Sequence, residues 1–246
     1  MRWFSLATAG FVAAVSLTAQ KQDLQFDVAS IKPSAPGSKL GTIRPAPGRR
    51  RYVGTSVSLK LLITVAYRVN YAQVSGPAWI SDDLFDVNAE AERPSSIEDL
   101  HVMLRNMVAD RFRLRMHSEN KAMPAYVLTV DKGGIKMTPR DPASAGDPEI
   151  RQPGPGVLNA KSAAMDYFAW LLSLFVDKPI LDKTGLGGVY DFELSWNPDL
   201  TIEPGAENTR PGLFEAVRRQ LGLRLEAQNG PLPILVIDHA ERPKPD

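Results

Sequence analysis

Three side chains could act as an imidazole base, His101, His117 and His239, and with no cysteine in the chain there is neither a thiol nucleophile nor a thiolate metal ligand. No Gly-x-Ser-x-Gly elbow and no His-Glu-x-x-His pair occurs. Glu98 and His101 are three residues apart and could share a helix face, which is half of a carboxylate di-metal site. The corresponding helix later in the chain has no copy of the pair, so a solvated helix histidine is the expected reading. His117 and His239 stand at strand ends near Glu119 and Asp238, where each reads as a solvated side chain beside an acid. The run Gly185-x-Gly187-Gly188 lacks the third glycine and the following helix of a nucleotide loop, and reads as a turn. No metal and no cofactor is expected.

Asp86 and Asp191 each follow an aromatic residue at matching places in the two halves of the chain. Paired carboxylates can serve as acid and base in glycoside cleavage. Nothing in the sequence fixes their separation, and duplication alone would produce the pairing. Tyr71, Trp79, Tyr190 and Trp196 flank turns and edge strands, where amphipathic rings mark contact surfaces or sugar platforms; half-buried rings closing the ends of a sheet are the plainer reading. These four are the candidate binding residues. No catalytic residue is assigned.

The elements that position these residues recur. Setting Leu104 on Leu213 without a gap pairs Val108 with Val217, Phe112 with Leu221, Leu114 with Leu223, Met116 with Leu225, Pro124 with Pro233 and Val127 with Val236. A hydrophobic pattern held through a helix and two strands marks an internal duplication. Each half reads β-α-β-β-α-β-β, an α+β fold with helices packed on small mixed sheets. Ser58 is expected to cap the first helix, Ser95 with Glu98 to form a capping box on the second, Ser162 to cap a helix in the second half, and Gly222 to end the last helix. Ser118 to Lys121 is expected to be a hairpin tip. Residues 133–160 hold five prolines and five glycines and read as a linker. The organisation expected is therefore 1–19 signal peptide, 20–132 first repeat, 133–160 linker, 161–240 second repeat and 241–246 frayed tail.

Arg2 followed by the apolar run Trp3 to Leu17 and a Leu17-Thr18-Ala19 site reads as a cleaved export signal, too short and too diluted by Ser5, Thr8, Gly10 and Ser16 to span a bilayer. Export to the periplasm or medium is the expected localisation, with no integral membrane span after cleavage. Lys+Arg 29 against Asp+Glu 28 gives a formal charge of +1, and losing Arg2 leaves the mature chain neutral, so no global field attracts nucleic acid. The basic loop from Lys32 to Arg51 has no interleaved aromatic residues and reads as a solvated loop.

The segments FDVASIKPS, LLITVAY, SGPAW, RFRLRMHSENKAMPAYVLTV and DKTGLGGVYDFELSW resemble a family of exported acidobacterial proteins of unknown function, present there as many paralogues. The same domain also lies behind the membrane metallopeptidase part of antibiotic-sensor-like proteins. The resemblance covers nearly all of the mature chain and implies no activity or catalytic residues. A weaker likeness, by pattern alone, is to the short N-terminal domain of secretins and TonB-dependent receptors, which makes protein contacts in the periplasm. Together these imply an exported binding protein whose partner is an envelope protein or a cell-wall component, engaged through an exposed sheet edge. An envelope hydrolase acting on peptide or glycan through Asp86, Asp191 or His101 is the alternative.

Overall fold

A computed structural model describes residues 24–141, 143, 145–198 and 210–244. The expected signal segment and the end of the tail lie outside the described residues. The first repeat runs β1 (Val28–Pro33), β2 (Thr42–Pro45), β3 (Arg51–Ser58), α1 (Leu59–Tyr67), a 3-10 turn (Tyr71–Gln73), β4 (Val74–Ser75), α2 (Trp79–Asp82), β5 (Leu84–Glu90), α3 (Ile97–Arg111) and β6 (Arg115–Val130). The second runs β7 (Thr138–Arg140), β8 (Glu149–Gly154), β9 (Val157–Ala163), α4 (Met165–Ser173), β10 (Ile180–Asp182), β11 (Val189–Ser195), α5 (Leu213–Ala216) with a π turn (Val217–Leu221), and β12 (Leu223–His239). The fold is α+β.

The duplication is visible strand by strand. One sheet has the order β1-β5-β3-β2 and another β7-β11-β9-β8, so corresponding strands occupy corresponding places. Residues 133–160, expected as a linker, instead carry β7, β8 and the start of β9. Pro139 and Pro153 lie in the edge strands β7 and β8, and Pro155 and Gly156 in the turn before β9, which is why the composition imitated a tether. Each core forms where alternating strand residues meet a helix face. Tyr52, Val57, Phe85 and Val87 pack on Leu62, Ile63, Leu100 and Leu104 in the first; Leu158, Phe192 and Leu194 pack on Phe168, Leu172 and Val217 in the second. Edge-to-face ring pairs fix both, Phe85 on Phe112 at 5.4 Å and Phe168 on Phe192 at 4.7 Å.

The third sheet joins the repeats, with the order β10-β6-β12-β4. No hairpin forms at Ser118–Lys121. β6 is one 16-residue strand and β12 one 17-residue strand, antiparallel along their whole length. The polar stretch that imitated a turn is the exposed middle of this ribbon, so the two strands expected at the end of each repeat are one. The alignment that sets Leu104 on Leu213 carries Ala122 onto Pro231, and these two residues are themselves partners in the ladder. A pseudo-two-fold axis therefore crosses the ribbon there. β6 leaves the first core at Met116 and enters the second at Leu128; β12 leaves the second at Leu225 and ends in the first at Ile237.

Helix ends follow the polar side chains available. Ser58 Oγ accepts from the Leu61 amide as expected. The α3 cap is Ser96, accepting from Asp99 N, one residue later than expected. Ala164 precedes α4 without a side-chain cap, and Ser162 lies in β9. Gly222 ends the π turn at φ 69°, and its counterpart Arg113 follows α3 at φ 48°.

Candidate functional site

Asp86 and Asp191 do equivalent jobs in separate sheets. At each site a serine on the neighbouring strand adopts a left-handed conformation, Ser56 and Ser162 both at φ 52°. The bulge turns that serine's amide toward the carboxylate: Ser56 N donates to Asp86 Oδ1 at 2.8 Å and Ser162 N to Asp191 Oδ1 at 2.9 Å. Ser34 Oγ also donates to Asp86, and Arg140 Nε to Asp191 at 2.7 Å. The Arg140 guanidinium holds the Asp191 carboxyl below the usual carboxylate range. A general acid needs the opposite shift. The two acids satisfy the amides of duplicated bulges.

His101 is not solvated. It is 1% exposed, at the junction of the repeats, with Trp170 and Tyr167 of α4 edge-on at 5.5 and 6.2 Å and the Tyr52 hydroxyl 3.5 Å from Nδ1. It shares a face of α3 with Ile97, Leu104 and Val108, and α4 of the other repeat packs there, a partner that the spacing within one helix does not name. Its pKa is lowered to about 4, chiefly by burial, with Arg68 and then Arg105 adding to the lowering and the Val65 carbonyl opposing it. Among the described residues no partner meets hydrogen-bond geometry at Nε2. Burial likewise pushes the Tyr167 hydroxyl up to about 12. Around this cluster Trp170 Nε1 donates to the Val69 carbonyl at 3.3 Å and Asn70 Nδ2 to the Ser173 carbonyl at 2.9 Å. The ring is a neutral fastener between repeats, closed to substrate.

His117 is on the exposed ribbon, its Nδ1 2.8 Å from Asp238 and its Nε2 2.9 Å from Glu119. Bonding to Glu119, then to Asp238, raises its pKa. His239 contacts Glu241. Among the described residues no group of three His, Cys, Asp or Glu is placed to hold a metal ion. The basic loop is ion-paired, Arg49 with Asp147 and both Arg50 and Arg51 with Glu90.

The four candidate aromatic residues separate into two pairs. Tyr190 and Trp196 are buried in the second core, Tyr190 donating to the Gly187 carbonyl and Trp196 edge-on to Phe175. Rings so placed offer no platform. Tyr71 and Trp79 are half-buried, with Lys60 over one at 4.3 Å and Arg242 over the other at 5.0 Å. The concavities are open: a cleft of about 380 Å³ by Arg68, Glu98 and Tyr167, and one of about 530 Å³ on the outer face of the second sheet beside Arg151, Lys161 and Asp191.

The sheet edges differ more sharply. The four outer strands of the two repeat sheets each contain a proline: Pro33, Pro45, Pro139 and Pro153. Proline removes a main-chain donor and guards an edge against strand addition. In the joining sheet, Tyr126 N donates outward to the Pro179 carbonyl, and the Leu128 carbonyl accepts from Lys183 N. Alternation then aims the amides of Met116, Ser118, Asn120 and Ala122 out of the same edge. β10 covers only Tyr126 to Leu128. On β12, where Leu235 faces β4, the alternation places Pro231 and Pro233 outward, and Gln73 Nε2 caps the Pro233 carbonyl at 2.9 Å. The same alternation turns Pro124 outward, so β6 too has a proline on its edge, and the donor-bearing stretch runs from Arg115 to Met123, with His117 to Ala122 exposed. The hairpin expectation hid it; the asymmetry of Ala122 against Pro231 in the aligned repeats was the available signal.

The match to known families covers residues 60–240, across both repeats, and the family is described as a protein of unknown function, DUF3738. The chain belongs to this family. No curated protein and no solved structure matches it. Within DUF3738, then, the free β6 edge of this member stands on its geometry alone. No helix among the described residues is long and apolar enough to cross a membrane.

Proposed function

We propose that this DUF3738 protein is an exported, non-enzymatic binding protein of the cell envelope. It takes an extended segment of another envelope protein along β6. The observation that carries the reading is the edge of β6 from Arg115 to Met123, a nine-residue run with no proline that ends at the outward Pro124. Strand addition supplies affinity through main-chain hydrogen bonds and needs no catalytic group. The apolar start of the sequence supports export.

The test is a pull-down with immobilised residues 20–246 against envelope extract and purified cell wall, beside Ala122→Pro. A protein enriched by the parent chain and lost with the variant is the expected result. Retention on cell wall alone would overturn strand addition and move the contact to Tyr71 and Trp79. Capture unaffected by Ala122→Pro would also refute the β6 site.

A further inference from the structure

The free edge of β6 is complementary to itself, and we propose that two copies of the chain pair along it, antiparallel, about a two-fold axis at Asn120. The inference rests on β6 being a strand acceptor and names the occupant it takes when no foreign segment is bound.

The register follows from amides and charges together. Outward amides at Ser118, Asn120 and Ala122 place Asn120 opposite its own copy and Ser118 opposite Ala122 of the second copy. Three residue pairs exchanging two bonds each give about six main-chain hydrogen bonds. The same register sets Glu119 opposite Lys121 of the second copy, twice by symmetry. Glu119 uses Oε1 for His117 and keeps its other oxygen for this contact. An axis at Glu119 would stack two carboxylates and set His117 against Lys121. At Ser118 it would oppose Arg115 and Lys121, and at Lys121 it would stack two ammonium groups. Like charges directly opposite are destabilising, and an axis at Ala122 would set Asn120 against Pro124, which has no donor, so Asn120 is the axis that charges and donors together select. β12 cannot substitute, because Pro231 and Pro233 remove its outward donors. An isologous contact of this kind closes as a dimer and does not propagate. A few residues per side place it among small, weak interfaces, below about 1,200 Å².

Sedimentation velocity of the full chain over a broad concentration range tests this. A reversible monomer–dimer equilibrium is expected. Ala122→Pro should weaken it at least about tenfold, since each copy loses an edge donor. Glu119→Lys and Lys121→Glu should each abolish pairing alone. An equimolar mixture of the two should restore it, because one variant then offers two bases and the other two acids at the facing positions. All three positions are exposed, and circular dichroism confirms that the variants are folded. A monomer at every concentration overturns self-pairing, as does a dimer indifferent to the charge reversals. If the chain stays monomeric yet captures a partner that Ala122→Pro releases, strand acceptance stands and self-pairing alone falls. If neither occurs, both fall.

Discussion

Replacing His101 by Phe should remove most of the loss of stability that this protein suffers between pH 7 and pH 5. The ring is neutral in the fold, with a pKa lowered to about 4 against 6.5 in the unfolded chain. Above pH 6.5 neither state binds the proton and the site contributes no pH dependence. As pH falls below 6.5 the unfolded chain takes up a proton that the native state refuses, so stability drops by up to about 1.4 kcal/mol per pH unit. By pH 5 the loss is about 2 kcal/mol, and it levels near about 3 kcal/mol below pH 4. That is a large part of the roughly 5–15 kcal/mol of a typical domain. The Phe variant keeps an aromatic ring against Trp170 and Tyr167 and loses the titration together with the Tyr52 and Val65 contacts, a pH-independent cost that does not alter the slope. Urea unfolding of both proteins across this interval provides the measurement. His117, with its raised pKa, contributes stability that is complete below 6.5 and lost as pH rises, and it does so equally in both proteins. The difference in slope therefore isolates His101. Equal slopes would refute its neutral burial.

Two further outcomes follow from the duplication. Ile237→Ala, a change in the last strand of the second repeat, should cost about 2–4 kcal/mol and lower hydrogen-exchange protection in α1 and α3 of the first; Leu128→Ala should do the reverse, lowering it in α4. Protection lost only within the mutated residue's own repeat would contradict the crossing of the strands. Arg113→Gly should raise the thermal midpoint, worth about 0.5–1 kcal/mol, because a left-handed position is freed of its Cβ. Gly222→Ala at the matching position should lower it by more than that, since a Cβ there would also collide with the Gly134 carbonyl.

The repeat itself was legible because it is written in core residues: Val108, Phe112 and Leu114 recur as Val217, Leu221 and Leu223, and burial enforces each. What failed to read was everything decided between repeats. Ser118 to Lys121 has the polarity of a turn, yet it is the solvated middle of a strand whose partner lies far along the chain. Gly133 to Ala160 has the composition of a tether, yet Pro139 and Pro153 sit on the edges of a sheet. His101 shares the apolar face of its helix with Ile97, Leu104 and Val108, yet its polarity suggested solvent; Trp170 from the other repeat helps to bury it. Asp86 and Asp191 were correctly seen as a pair, but only the φ of Ser56 and Ser162 says what the pair is for.

The crossing of β6 and β12 also sets an order of events for the nascent chain. A polypeptide that emerges amino end first presents α1, α3 and all four strands of the first sheet long before Ile237 exists to close their core. The first repeat must therefore wait, with apolar surface uncovered, until the last strand arrives. Non-local closure of this kind slows folding and prolongs exposure to aggregation. The two repeats thus reach their final state together, as one cooperative unit assembled at the end of synthesis.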